Sequence, residues 1–436
     1  MSASLTDLPV PLSILDTDLY KLTMQQAVLQ QFPDVHSTYR FKNRTISTLF
    51  TRQSIERFRT AVSHFTTVQL TSAELTWLQS ACPYFTPDYL AYLASYRFKP
   101  EQVKVTYIPV SADQLQGQVE IDVAGPWVET ILWEVPLMAC LSESYFQSVF
   151  TDWGYAGQDE LAYSKAQTLL SANCHFSEFG TRRRRSYQTQ DIVLQALVRA
   201  SREIPSSGGL SGTSNVHFAQ KYDLTPIGTI AHEWFMGVSA LKGYERANVT
   251  ALKLWEEVYT PGTAPLIALT DTFTTTAFFK DFASDPELAH RWTGLRQDSG
   301  DPLTFGPRAK EMYESLGIPH ASKTIIFSDS LNVDKCLKIK KQCDELGFAK
   351  GTYLPLTALR HGGPDGVYAA VSFGIGTFLT NDFRVASTGE KSKALNIVIK
   401  LASVGDKPCV KLSDDLTKTT GDQETVDHVK HVYNLT

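Results

Sequence analysis

Paired cysteines are absent from this 436-residue sequence: its six cysteines, Cys82, Cys140, Cys174, Cys336, Cys343 and Cys409, form no CxxC pair. Only Cys336 and Cys343 lie close together, at a spacing that puts both on one face of a helix. The scatter argues against a disulfide framework and against a zinc site. Positive charge is in deficit too, with 41 Lys and Arg against 46 Asp and Glu and a formal charge of −5. A general nucleic-acid binder needs a basic field to displace counterions, so that class is excluded. Long apolar runs are also missing. The longest apolar zone, PWVETILWEVPLMACL, is interrupted by Glu129 and Glu134 and falls short of a bilayer span. MSASLTDLPVPLSILDTDLY has neither a basic n-region nor a long apolar stretch, so it does not read as a signal peptide. These absences lead us to expect a cytoplasmic protein, open also to the nucleus, with neither membrane nor nucleic acid as partner.

What is present is enough chain for two domains, or for one large barrel with additions. From residue 1 to about 160 both periodicities occur. TDLYKLTMQQAVLQQF has apolar residues at helical spacing, with Asp16 and Thr17 as expected caps. VHSTYRFKNR and QVKVTYIPV alternate like strands, while SAELTWLQSACPYF and TPDYLAYLASYRF read as short helices. After that the rhythm changes. HFSEFGTRR, PIGTIAHEW, PLIALTDTF, TGLRQDSGD, TIIFSDSLN and VSFGIGTFLTND each run apolar, end in small, polar or charged residues, and precede a helical stretch. Their recurrence suits successive βα units with parallel strands, and in a closed barrel the C-terminal strand ends carry the chemistry. The expected fold class is α/β, an irregular βα barrel over 161–384, with an additional α+β domain from 1–160 completed by 385–436. A doubly wound open sheet has the same spacing and stays an alternative. KSKALNIVIKLASVGDKPCVKLSDD, in the polar tail, reads as a hairpin; LTALRHGGPDG, Leu356 to Gly366, reads as an insertion.

Several strand ends carry candidate chemistry. FSDSLN offers Ser and Asp at a helix N-cap, and FGIGT offers glycines that let backbone N–H groups approach an anion; both suit a phosphate, and tight turns are the plainer alternative. DSGD sets Asp298 and Asp301 around a Ser-Gly turn, a ribose-diol or magnesium site or an Asx turn. His232 follows an apolar run where a barrel residue faces the mouth, and Asp271 on a neighbouring strand end is an expected partner that would fix its tautomer. Arg182 to Arg185 follow Gly180; in a helix they fan out, so no single ligand meets all four, although Arg182 and Arg185 share a face.

Taken in order, DTDLYK, SEFGTRRR, SGTSN, GTIAHEW, LTDTF, RQDSGDP, FSDSLN and FGIGTFLTND resemble the motif series of the nicotinate phosphoribosyltransferase family. The resemblance runs from Asp16 to about residue 384. It implies a type II phosphoribosyltransferase fold that joins nicotinate to phosphoribosyl diphosphate, giving nicotinate mononucleotide and diphosphate in NAD salvage. It further implies ATP hydrolysis through a phosphohistidine, with Mg²⁺ carried mainly by the diphosphate. By the same resemblance His232 takes the phosphoryl group and Asp271 orients it. Phe179 and Tyr20 sandwich the pyridine, Tyr20 reaching over from a neighbouring subunit of a homodimer. Arg296, Thr229 and Ser214 bind the nicotinate carboxylate. Arg182 reaches the phosphoribosyl diphosphate, Asp298 holds the ribose hydroxyls, and Ser328, Gly374, Gly376 and Thr377 hold the 5-phosphate. The acid is favoured over the amide because the SGTSN segment offers hydroxyl and amide groups where an amide-specific site would offer a carboxylate. The alternatives are a nicotinamide- or quinolinate-using enzyme of the same fold, and a barrel that binds a nucleotide without catalysis.

Overall fold

Helix α1 (Leu19–Gln31) is the first helix of the computed structural model, which describes residues 8–264, 266–348 and 371–435. The insertion Leu356 to Gly366 lies outside them. Neither Asp16 nor Thr17 caps α1: Asp18 is the N-cap and makes no side-chain capping bond. The reason is competition. Asp16 is taken by Arg184 and Asn215, and Asp18 accepts from Ser214. Period-two burial then builds an antiparallel sheet from β1 (His36–Asn43), β2 (Phe50–Thr51), β3 (Val103–Pro109) and β4 (Gln116–Pro126). Ser37, Tyr39 and Phe41 of β1 and Val119, Ile121 and Val123 of β4 face inward. The helices expected from the sequence lie at Ser72–Ala81 and Pro87–Ser95. Helix α2 (Glu134–Ser148) closes this region.

The second sheet is parallel and six-stranded: β5 (His175–Glu178), β6 (Gly209–Thr213), β7 (Ile267–Leu269), β8 (Gly294–Gln297), β9 (Thr324–Phe327) and β10 (Val371–Ile375), in the order β6-β5-β10-β9-β8-β7. Its strands are short and largely buried because helices cover them, among them α3 (Tyr187–Glu203), α5 (Pro302–Ser315) and α6 (Val333–Leu346), while α4 (His232–Lys242) packs on the first sheet. Five of the six expected βα segments supply strands. PIGTIAHEW does not: it touches the sheet through one parallel bridge, Thr213 to Pro226, and Gly209–Thr213 is the sixth strand instead. The PIGTIA stretch spans the gap between the end strands, with Ile227 N–H donating to Thr213 and His232 meeting Thr272 just beyond β7. That bridged gap makes the barrel irregular.

Beyond a two-stranded ladder, β11 (Phe383–Arg384) with β12 (Lys391–Ser392), the chain returns to the first sheet. There β13 (Ile397–Val404) pairs antiparallel with β1, and β14 (Lys407–Pro408) folds back on β13. The two-residue turn contains Gly405 at φ +54°, the left-handed region a tight hairpin asks for. One continuous core joins both sheets, with Trp127 stacked on Trp234 of α4 at 6.4 Å. No helix among the described residues is long and apolar enough to cross a membrane.

Candidate active site

The C-terminal strand ends of the parallel sheet meet two intruding segments. On one side Asp18 bridges Asn215, and Leu19 N–H donates to Ser214, which delivers Tyr20 to the mouth. On the other the tail is held just beyond β7 by Leu412 N–H donating to Thr272, which delivers Lys411, while β13 contributes Ile399, Lys400 and Leu401. Between them lies a cavity whose walls include Tyr20, Glu134, Arg182, His232, Arg296 and Asp298, all from one chain. Thr229 and Ser328 stand one hydrogen bond behind it, on Arg296, and Ser214 lies further back, on Asp18. Phe179, Gly374, Gly376 and Thr377 lie at the neighbouring β5 and β10 ends.

His232, the first residue of α4, is buried. Its Nδ1 is 3.0 Å from Thr272 Oγ1; its Nε2 is 2.8 Å from Lys411 Nζ, 3.1 Å from Asp298 Oδ2 and 3.8 Å from Asp271 Oδ1. The nearest carboxylate is therefore Asp298, not the expected Asp271. Asp271 is fully buried beneath the site, its Oδ2 accepting from Ser299. Burial, reinforced by the Lys411 charge, pushes the imidazole down to about 4 against the pull of Asp271 and Asp298, so it is neutral at neutral pH. One proton decides its partner. Lys411 as donor requires a lone pair on Nε2, whereas Asp298 as acceptor requires a hydrogen there.

Arg296 spreads its guanidinium over three groups: Nε to Ser328 Oγ at 2.9 Å, Nη1 to Thr229 Oγ1 at 3.0 Å and Nη2 to Asp298 Oδ1 at 3.0 Å. Burial opposes ionisation of Asp298, but Arg296 and His232 outweigh it and hold the carboxyl well below its usual range. DSGD divides: Asp298 faces the cavity, while Asp301 caps α5 by accepting from Leu303 N–H. In FSDSLN the cap of α6 is Asn332, not Ser328 or Asp329. Ser328 donates to Asp298 Oδ1 at 2.7 Å. Gly374 answers to sterics: a Cβ there would sit 2.3 Å from the Phe179 ring, so its bare backbone makes room for an aromatic. Gly376 precedes the short Thr377–Thr380 helix and crowds only Phe179 O.

The comparisons with known proteins follow this geometry. A sequence model described as the Nicotinate phosphoribosyltransferase (NAPRTase) family matches residues 174–436. The chain belongs to the nicotinate phosphoribosyltransferase family. The N-terminal domain model of that family matches residues 15–142. A nicotinate phosphoribosyltransferase of Methanosarcina mazei is 40% identical over 95% of this chain and 96% of its own, and one of Saccharomyces cerevisiae is 39% identical over 98% and 96%. A solved Saccharomyces cerevisiae structure aligns at TM-score 0.89 and 39% identity, covering 98% of this chain and 99% of its own. The crystal structure of nicotinate phosphoribosyltransferase from Porphyromonas gingivalis aligns at 0.83 and 35%, covering 98% and 100%. The irregular barrel of this chain is thus the type II phosphoribosyltransferase fold.

In this member of the nicotinate phosphoribosyltransferase family the arginine run does not fan from a helix. Thr181–Arg183 is a single 3₁₀ turn, and α3 starts only at Tyr187, because the carbonyls of Arg183 and Arg184 accept from Asn381 and Ser142. Arg182 donates to Glu134 at 2.9 Å on the cavity wall. Arg184 forms a two-pronged pair with Asp16, both bonds 2.8 Å, and carries structure. So does Arg185, whose guanidinium stacks 3.7 Å from Phe146 and 4.4 Å from Phe383 and donates to Ser392. Arg182 and Arg185 therefore share no face. Arg183 sits near Arg182 and Arg44, whose charges add to burial in lowering its pKa.

Three further points were missed. Tyr20 lines the cavity of its own chain. Asp18 Oδ1 lies 2.8 Å from Ser214 Oγ, so the SGTSN segment does have a carboxylate beside it, one that faces the Arg182 charge. Lys21, Glu233, Lys400 and Lys411 also gather at or behind the site. A lysine inside the apolar strand NIVIKLASV was the legible signal for Lys400.

Proposed function

We propose that this chain catalyses the transfer of phosphoribose from phosphoribosyl diphosphate to the ring nitrogen of nicotinate, coupled to ATP through His232. The observation that carries the reading is a single cavity where an aromatic ring, two arginines, a neutral buried histidine and a carboxylate converge. Tyr20 and Phe179 take the flat, electron-poor pyridine. Arg296 takes its carboxylate, which exchanges for Asp298 at Nη2, and the freed Asp298 accepts from the ribose hydroxyls. Ser328, Gly376 and Thr377 hold the 5-phosphate. In the transfer, the pyridine nitrogen lone pair forms the bond to ribose C1 as the C1–O bond breaks, and that bonding pair leaves with diphosphate. Arg182 and Arg183 meet the negative charge that develops there.

ATP transfers its γ-phosphoryl group to a His232 ring nitrogen, and water later releases it as phosphate. The neutral imidazole is the nucleophilic form. The two added charges draw the surrounding cations inward, ordering the closed site. Asp271 and Asp298 suit Mg²⁺, since a carboxylate oxygen of each lies within 4.8 Å of the other and Asp271 Oδ1 is buried without a hydrogen-bond partner. When bound, that ion supplies charge neutralisation to phosphate oxygens. Six buried free thiols suit a reducing compartment and support the reading of a cytosolic enzyme, open also to the nucleus.

Steady-state assays with nicotinate, nicotinamide and quinolinate separate this reading from its relatives: turnover with nicotinate alone is expected, and preference for either other pyridine would reject it. His232→Ala is expected to abolish ATP stimulation and acid-labile, base-stable label from γ-labelled ATP, while slow ATP-independent transfer persists. Equal loss of both activities would count against the assigned role of the imidazole.

A further inference from the structure

Arg182 stands at the open end of a row of alternating charges whose other members the chemistry above does not use. Its Nη1 donates to Glu134 Oε1 at 2.9 Å, and Glu134 Oε2 lies 2.7 Å from Lys21 Nζ. Lys21 also donates to Glu233 Oε2, and Glu233 Oε1 accepts from Trp127 Nε1 and from the Tyr39 hydroxyl. The row spans four parts of the fold: the turn after β5, the first residue of α2, α1, and the residue of α4 next to His232. The side chain of Lys21 is 0% exposed, those of Glu134 and Glu233 7% and 8%, and that of Arg182 34%.

Stability alone is a weak reason for such a row, because each ion gives up its hydration and an apolar replacement often serves as well. Geometry is a better one. A free arginine side chain has roughly 2 kcal/mol of rotamer entropy to lose on gripping a ligand. Held through Nη1, the guanidinium plane is set before a ligand arrives, and Nε and Nη2 have no hydrogen-bond partner among the described residues. Glu134 is well suited to hold it: burial opposes its ionisation, but Lys21 and Arg182 keep the carboxyl down at about 2, so the acceptor stays charged at any working pH.

We propose that Glu134 is a positioning residue for Arg182, and that Lys21 acts through it by fixing the Glu134 carboxylate and tying it to the start of α4. This rests on the reading of Arg182 as a phosphoribosyl diphosphate ligand. Aligned in advance, Arg182 binds the diphosphate end without first being ordered, so the device works on KM for that substrate.

The test is a double-mutant cycle on the full chain with Glu134→Gln, Arg182→Ala and the pair, reading KM for phosphoribosyl diphosphate, kcat and Tm. Glu134→Gln is expected to raise KM about tenfold with a smaller change in kcat, and the pair is expected to be no worse than Arg182→Ala, because one variant removes what the other positions. Multiplying effects, or an unchanged KM with a lowered Tm, would overturn the positioning role and leave Arg182 as a ligand. An unchanged KM in Arg182→Ala would overturn the ligand reading and the inference with it. If Glu134→Gln fails to fold, Lys21→Met/Glu134→Gln preserves the net charge of the row and must show the same rise.

Discussion

Lys400 is half-buried in the cavity wall, and burial, helped by the charges of Lys411, Arg182 and Arg44, pushes its pKa down to about 7 despite Glu134. Its charge is therefore present below about pH 7 and lost above it in the empty site, while an unfolded lysine keeps its proton to about 10.4. Between those values the unfolded chain binds more protons, so this group makes the fold more stable as pH rises. Its effect on an anion runs the opposite way. KM for phosphoribosyl diphosphate is expected to rise through neutral pH by roughly tenfold, equivalent to about 1.4 kcal/mol. In Lys400→Met that rise should be absent; an identical KM profile in both proteins would remove Lys400 from substrate binding. At this scale legibility was uneven. His232, Arg296 and Asp298 stood in recognisable strings and do meet in the cavity. Lys411 stood in none, because its partner His232 is 179 residues away in the chain.

Among the elements, β10 has little freedom at its C-terminal end. The absent side chain of Gly374 is the space the Phe179 ring occupies, so Gly374→Ala drives a methyl group into an aromatic edge. Overpacking of this kind costs about 1–3 kcal/mol, and here the cheaper response is for the ring to swing away. The expected outcome is a KM for nicotinate raised about tenfold with a modest fall in Tm, and no further loss when Phe179→Ala is added. A variant that binds nicotinate normally would detach Phe179 from the pyridine. Element types were readable because burial follows period: β1 alternates, and the parallel strand β7 is apolar and buried throughout. The strand expected at PIGTIAHEW failed for a different reason. Its apolar residues fill the gap between the end strands, and that use of hydrophobicity leaves no periodic trace.

For the whole molecule, one chain brings α1, α2, α4 and β13 to the cavity, with Lys411 of the tail behind His232. Specific activity is therefore expected to stay constant as enzyme is diluted from micromolar to nanomolar; a fall with dilution would mean that a second copy completes the site. The parallel core and its polar strand ends followed from the sequence by itself, because apolar runs that stop in turn-forming residues have few other ways to bury themselves. So did the residue types that meet at the strand ends, since they sit in short local strings. Only the tertiary structure decided which charges pair. It set Asp298 rather than Asp271 nearest His232, gave Arg184 and Arg185 to the framework, and placed Tyr20 in its own chain's pocket. Coulomb and hydrogen-bond partners depend on distance in space, and the packing of two sheets that share one core sets those distances.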